Sequence, residues 1–433
     1  MENVEVFEKP VLKVGIEEKV EPAKAFVFGL QHVLAMFGAT VTVPLVVGGA
    51  IGLSGDQIAL MIQAVLLTMG IATLLQTTIG SRYPIVQGSS FAFIPGLISI
   101  GSSLGMAAVE GALLVGGLVE AAIGWLGIIG KVRKLFTPLV TGVTITLIGF
   151  SLADVAVKNF FNFYADPAGE TLVKSSAVAL ITFLTTVFVA LRARGSLKAM
   201  PVVVGVVIGY LISVPLGLTN FDLVRSLPVL GVPSVFPWGT PIFDVSAIVL
   251  LLFAFMVSII ESVGDYHAIA TVTGSEITEK HIARGIGAEG LACSIAGLLG
   301  ACGTTSYSEN IGVVALTKIG SRHVVQVGAV ILVFLSLLPR FAGILASMPA
   351  PVLGGLTLAL YGMISVTGLR LIKERVEFTE RNTLILAAAL IAGLGAPQLP
   401  PEFLGHFPKL IASILESGMA VGALTAIILE RVL

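Results

Sequence analysis

Pro138-Leu139-Val140-Thr141-Gly142-Val143-Thr144-Ile145-Thr146-Leu147-Ile148-Gly149 is the stretch on which the fold turns. Half a chain later, Pro351-Val352-Leu353-Gly354-Gly355-Leu356-Thr357-Leu358-Ala359-Leu360-Tyr361-Gly362 repeats its Pro, Gly, Thr, Leu and Gly at the same intervals. A match at that separation points to a duplicated unit. Glycine is common in this chain, 49 of 433 residues, so the match needs an independent test. The surrounding hydropathy supplies one.

Apolar residues make up 56% of the chain and charged residues 12%, about half the roughly 25% usual in soluble domains. Mean hydropathy is +1.01. This composition excludes a water-soluble enzyme, a nucleic-acid binder and a disordered scaffold, and it implies an all-α polytopic membrane protein. Stretches able to cross about 30 Å of hydrocarbon recur at 24–49, 57–80, 84–101, 106–130, 134–154, 174–192, 198–218, 244–271, 282–300, 307–318, 322–346, 349–371, 382–396 and 407–430. Fourteen spans divide as seven plus seven around the repeat, which predicts two halves of opposite topology. Short loops leave no room for a soluble domain. Cys293 and Cys302 form no disulfide or metal framework, and the N-terminal residues show no signal peptide.

Basic residues test the count. With the N-terminus inside, 20 of the 25 lysines and arginines fall on the cytoplasmic side, among them Lys9, Lys13, Arg82, Lys131, Arg133, Lys134, Lys280, Arg322 and Arg381. Only Lys158, Lys174, Arg225, Arg340 and Lys409 fall outside. The asymmetry places both termini in the cytoplasm.

Two spans are interrupted at corresponding places. The third contains Pro84-Ile85-Val86-Gln87-Gly88-Ser89-Ser90-Phe91-Ala92-Phe93-Ile94-Pro95-Gly96. The tenth contains Gly300-Ala301-Cys302-Gly303-Thr304-Thr305-Ser306-Tyr307-Ser308-Glu309-Asn310-Ile311-Gly312. Backbone freed of helical bonds at bilayer depth must be buried or line a cavity. Paired broken spans mark a transporter's binding site, because their helix ends aim free N–H groups at a ligand.

Carboxylates cluster nearby. Glu261 and Asp265 are spaced i, i+4 on one face of the eighth span; Glu289 lies in the ninth and Glu309 in the tenth. Acidic residues in hydrocarbon are costly and face a cavity or partner. They can carry a proton or accept N–H bonds from a ligand. Glu289 also reads as an interfacial helix-end carboxylate, and Phe91 as core packing. His32 reads equally as a packing histidine and as a functional one. Glu120, deep in the fourth span, has no assigned role.

These residues resemble the nucleobase–ascorbate transporter family. Glu309-Asn310-Ile311-Gly312, with Thr317 and Lys318 after four more residues, fits its signature. Gln31-His32, Gln87-Gly88-Ser89-Ser90-Phe91 and Glu261-Ser262-Val263-Gly264-Asp265 look like its first, third and eighth spans. The resemblance implies short strands in spans three and ten. It also implies a core domain of spans 1–4 and 8–11 (24–130 and 244–346) and a gate domain of spans 5–7 and 12–14 (131–243 and 347–433), after a tail at 1–23. It implies a base held by Glu261 and Glu309 as acceptors, Phe91 as stacking platform, and N–H groups near Ala92 and Ser308, with Tyr307 in the same set. Asp265, Glu261, Glu289 and His32 would serve proton coupling; Asn310, Gly312 and Thr317 belong to the signature.

The expected function is proton-coupled nucleobase uptake by alternating access in the cell membrane, with Na⁺ as second choice of ion and no cofactor. Glu309 looks like uracil permeases; Asp265 and Glu289 look like the xanthine branch, and uracil ranks slightly ahead. A sulfate-permease-type anion carrier and a passive channel are the alternatives. No nucleophile or metal pairs with a base, so an enzyme is not expected. The partners are a small nucleobase and the bilayer, not nucleic acid, and a homodimer stays open. The Gly142, Gly149, Gly355 and Gly362 faces read equally as sliding surfaces and as tight packing. Reporter fusions test the topology: a cytoplasm-dependent fluorescent protein should fold at either terminus, and darkness at one end would break the fourteen-span count.

Overall fold

The computed structural model describes residues 12–130 and 134–433. Lys9, Lys131 and Arg133 of the basic-residue count lie outside the described residues. Helix α1 (Pro22–Ala50) opens with proline in its first turn, where the missing N–H costs nothing. A reciprocal capping box of Ser54 and Gln57 starts α2 (Gly55–Thr78) and satisfies two otherwise orphaned N–H groups. Strand β1 (Gln87–Ser89), a 3₁₀ turn (Phe91–Phe93), α3 (Ile94–Leu104) and α4 (Met106–Trp125) follow. Next come α5 (Pro138–Ser151), α6 (Ala153–Phe160), α7 (Leu172–Arg192) and α8 (Pro201–Ser213).

The second half begins with α9 (Val245–Thr273), capped by the Asp244 carboxylate on two N–H groups and closed by Gly274 in the left-handed conformation. It continues through α10 (Glu279–Leu298), β2 (Thr304–Ser306) and α11 (Ser308–Thr317). The last elements are α12 (Arg322–Ser336), α13 (Pro339–Ala346), α14 (Ala350–Arg375), α15 (Glu380–Gly395), α16 (Lys409–Glu416) and α17 (Gly418–Val432).

Among the described residues seven helices are long and apolar enough to cross a membrane, or nine if two bent pairs each count as one span. Spans three and ten fall outside that length because a strand replaces part of each helix. Two spans expected to be continuous are not. The chain at 322–346 bends by 85° between α12 and α13, and that at 407–430 by 97° between α16 and α17. Pro339 has no N–H to continue the ladder of α12. Ser417 instead caps a new helix, its hydroxyl accepting the Ala420 N–H at 3.3 Å. The fifth span, Pro138–Phe160, crosses as one despite a one-residue break between α5 and α6.

The helices pack in pairs. α4 lies along α10, α2 along α12, and α1 along α12. α5 lies along α14, α7 along α8, and α15 along α17. Close backbone approach sets both central contacts. A Cβ on Gly290 would come within 2.2 Å of the Ala121 nitrogen, and one on Gly149 within 2.3 Å of the Tyr361 carbonyl. Gly142 and Gly355 are similarly enclosed, whereas Gly362 meets nothing. Three of the four repeat glycines therefore serve tight packing.

The segment before α1 pairs with the α11–α12 loop. Lys13 N–H donates to the Lys318 carbonyl at 2.8 Å, and Gly320 N–H to the Val14 carbonyl at 2.9 Å. Glu17 accepts from Arg322 at 2.6 and 2.8 Å and from Arg82 at 3.1 Å. Arg322, and secondarily Arg82, holds the Glu17 carboxyl below the usual carboxylate range. A depressed folded value means the contact stabilises docking above the ordinary carboxylate pKa and is lost as pH falls through the depressed one. The Glu17 carboxylate is largely exposed, so the contact contributes under about 1 kcal/mol. Glu17→Gln should lower the amide protection factors of Lys13–Glu18 at neutral pH, exchange being corrected for its intrinsic pH dependence, whereas the wild type should fall to that protection only in acid. Equal exchange at neutral pH would refute the clasp.

Candidate functional site

Strands β1 and β2 are antiparallel, with Gln87 opposite Ser306, Gly88 opposite Thr305 and Ser89 opposite Thr304. The pairing satisfies backbone groups that no water can reach, and it leaves two half-helices starting at the same level. The turn before α3 is capped by the Ser90 hydroxyl, which accepts the Ala92 N–H at 3.2 Å. α11 starts at Ser308 with no side-chain cap, so its first N–H groups keep the positive end of the helix open to a ligand.

These ends border a cavity of about 490 Å³, within the range usual for small-molecule sites. One wall holds Phe91, Ala92, Glu261, Tyr307, Ser308 and Glu309; Ile145 and Ile148 of α5 with Leu360 and Met363 of α14 form the opposite one. The substrate-site residues expected from sequence thus share one cavity. Glu261 and Glu309 present their side chains to its open space. Phe91 meets Tyr361 edge-on, centroids 6.1 Å apart, which leaves a ring face for stacking. Two details depart from expectation. The Ala92 N–H is already engaged by Ser90. Tyr307 donates its hydroxyl to the Ser89 carbonyl at 2.7 Å, so it clamps the strands beside the cavity.

The coupling candidates are distributed differently. Asp265 accepts from the Ser308 hydroxyl at 2.6 Å, one turn along α9 from Glu261. Glu289 sits behind the strands, almost wholly buried. Its Oε1 accepts from the Ser258 hydroxyl at 2.8 Å. Its Oε2 accepts from Ser262 at 2.6 Å, Gln87 Nε2 at 3.3 Å and Ser306 at 3.4 Å. Four donors offset much of the cost of burying a carboxylate. His32 is apart from all of these: the Asn310 amide donates to its Nδ1 at 3.1 Å and to its carbonyl at 3.0 Å. That contact anchors α11 to α1. Gly312 lies open on α11, and the Thr317 hydroxyl accepts the Ile319 N–H near the helix end.

Sequence reasoning assigned no role to Ser258, Ser262, Gln87 or Ser306. The serines of α9 are spaced i, i+4, as Glu261 and Asp265 are, and that periodicity was the available signal. Among the described residues no group of three or more His, Cys, Asp or Glu side chains is placed to hold a metal.

Residues 23–402 match the Xan_ur_permease model, described as a permease family. Uric acid permease PucJ of Bacillus subtilis is 34% identical over 419 residues, covering 94% of this chain and 92% of its own length. Xanthine permease of Bacillus subtilis is 32% identical over 415 residues, covering 94% and 93%. In fold the chain is similar to the transmembrane domain of a cyanobacterium bicarbonate transporter, BicA. That match has a TM-score of 0.61 at 17% identity over 93% of this chain and 100% of that one.

The strand pair leaves little room for added volume. A Cβ on Gly88 would come within 2.3 Å of the Tyr307 ring. Gly88→Ala should therefore destabilise the protein by about 1–3 kcal/mol, measured as a lower unfolding temperature in detergent. An unchanged temperature would show that the pair is not under that constraint.

Proposed function

The chain belongs to the Xan_ur_permease family, the nucleobase–ascorbate transporters, and from that membership we propose that it takes up an oxidised purine base together with a proton. It is a multi-pass membrane transporter and not an enzyme. One observation carries the substrate reading: two carboxylates, Glu261 and Glu309, share a cavity with an aromatic face and an uncapped helix start. A nucleobase is flat, with ring N–H donors and carbonyl acceptors. The carboxylates complement its donors, the N–H groups of α11 its carbonyls, and Phe91 its ring face. The relatives are named for uric acid and xanthine, which moves the expectation from uracil towards a purine.

Residues of α9, α11, α5 and α14 line the cavity. Helices α1–α4 and α9–α13 would form the core, and α5–α8 with α14–α17 the gate, within a fourteen-span inverted repeat whose termini are cytoplasmic. Rocking of the core against the gate would expose the cavity to each side in turn. Protonation of an acid beside the base would remove a charge whose burial opposes that movement. The bicarbonate-transporter fold raises the anion-carrier reading, but two carboxylates facing the cavity suit a ligand rich in N–H donors better than an inorganic anion.

Uptake of radiolabelled xanthine, uric acid and uracil by cells making the protein tests this. Purine accumulation should collapse with an uncoupler and persist without Na⁺; accumulation indifferent to both would refute the coupling. Glu261→Gln and Glu309→Gln should each weaken base binding by about tenfold or more, the loss of a charged hydrogen bond being about 1.5–3 kcal/mol. Wild-type affinity in both would refute the site.

A further inference from the structure

A second cavity, of about 290 Å³, lies between α1, α8, α13 and α14 and shares no lining residue with the base site. The helices around it touch at their edges. Helix α13 meets α1 through Phe341, whose ring centroid is 5.7 Å from that of Phe37. It meets α8 through the Tyr210 hydroxyl, which donates to the Ile344 carbonyl at 2.9 Å. That carbonyl is in the last turn of α13, where no intrahelical donor reaches it. Helices α1 and α8 close the other side, where a Cβ on Gly38 would overlap the Val202 side chain.

Val41 and Leu45 of α1, Val203 and Val206 of α8, Leu345 of α13 and Leu356 of α14 form the wall between these contacts. No lining side chain is charged, and the two that carry a hydroxyl are both engaged. Tyr210 is bonded as above, and Thr42 donates to the Gly38 carbonyl at 2.7 Å. Water stays in a cavity only with several polar partners, and a nucleobase here would leave its N–H and C=O groups unpaired. Left empty, the wall atoms would forfeit dispersion contacts on one side. Hydrocarbon restores those contacts and asks for no hydrogen bond.

The cavity is continuous with the apolar exterior. Val207, Leu211 and Ile344 line it and are 49%, 64% and 41% exposed. On a multi-pass membrane protein such a flank meets acyl chains. The neighbouring α7 exposes Leu184, Phe188 and Leu191 as well, so the apolar exterior extends beyond the mouth.

We infer that this cavity is a lipid site, which takes the terminal part of one acyl chain of a membrane phospholipid. The chain enters from the bilayer between α8 and α13, beside the Tyr210–Ile344 bond. It comes from hydrocarbon, so it sheds no water, and it gains contacts that the empty wall lacks. In the proposed division of the helices α1 and α13 belong to the core and α8 and α14 to the gate. The chain therefore lies across the boundary at which those two would move.

Photolabelling tests the inference. The protein is placed in vesicles of phosphatidylethanolamine and phosphatidylglycerol that contain a phosphatidylcholine with a carbene-generating diazirine near the methyl end of one acyl chain. Peptide mass spectrometry should find adducts on the buried wall, at Val41, Leu45 and Leu345, which are 2%, 6% and 8% exposed, as well as on the rim at Val207 and Leu211. Adducts confined to the rim would overturn the inference. Val206→Phe sets a ring inside the cavity. It should cut wall labelling by at least about fivefold and leave rim labelling within about twofold, because close-packed volume excludes a second occupant. Undiminished wall labelling in that variant would also overturn the inference. Should Val206→Phe not fold, Val203→Phe makes the same test, and the wild-type adducts decide alone if neither folds. Wall adducts from a diazirine-bearing palmitate but none from the phosphatidylcholine would assign the cavity to a free fatty acid and overturn the phospholipid site. No step needs transport, so the outcome is separate from that of the proposed function.

Discussion

Backbone N–H and C=O groups at bilayer depth have no water to bond, and the pairing of β1 with β2 is how this chain meets that constraint where two helices are broken. Only three residues pair on each side. Such a short ladder has little stability of its own, so side chains secure it. The Tyr307 hydroxyl reaches across to Ser89, and the Thr73 hydroxyl accepts the Gln87 N–H at 3.0 Å. Glu289 then ties Gln87 and Ser306 to the serines of α9. The half-helices owe their position to this small sheet, and the cavity owes its polar wall to the half-helices.

The same constraint accounts for the division of labour among the acids. Glu261 and Glu309 face open space in the cavity, where a ligand can complete their hydrogen bonding. Glu289 is completed internally and holds the scaffold. Glu120 is wholly buried between α4 and α10, with the Cys293 thiol beside it and no hydroxyl or amide donor. Residue type is constant across the four positions; the number of donors each meets is what differs. In a low-dielectric interior that number decides which acid is suited to charge and which to a proton.

Much of this was legible in one dimension. Length and hydropathy marked the spans. Glycine, proline and serine marked the two broken ones, because a helix interrupted at membrane depth must bury its freed backbone groups or turn them to a cavity. Glu261, Phe91 and Glu309 were singled out on those grounds and Ser308 by the family resemblance, and all four line one cavity. Other features were not legible. The bends after Ser336 and Glu416 depend on how α13 and α17 find room against neighbouring helices; Gly418, for example, abuts the Gly393 carbonyl of α15. His32 was expected among the coupling residues, but its hydrogen bonds go to Asn310, far along the chain. Its neighbours in sequence carry no sign of that partner.

The sequence by itself determined that the chain lives in lipid, how its helices are spaced, and which few acids lie inside, since each follows from local composition against a fixed membrane thickness. The tertiary structure alone decided which donors each acid meets. Gln87 and Glu289 are 202 residues apart and Tyr307 and Ser89 are 218 apart, so their bonds exist only once the two halves fold together. A carboxyl group's chemistry depends on donors within about 3 Å, and no sequence pattern states which donors those will be.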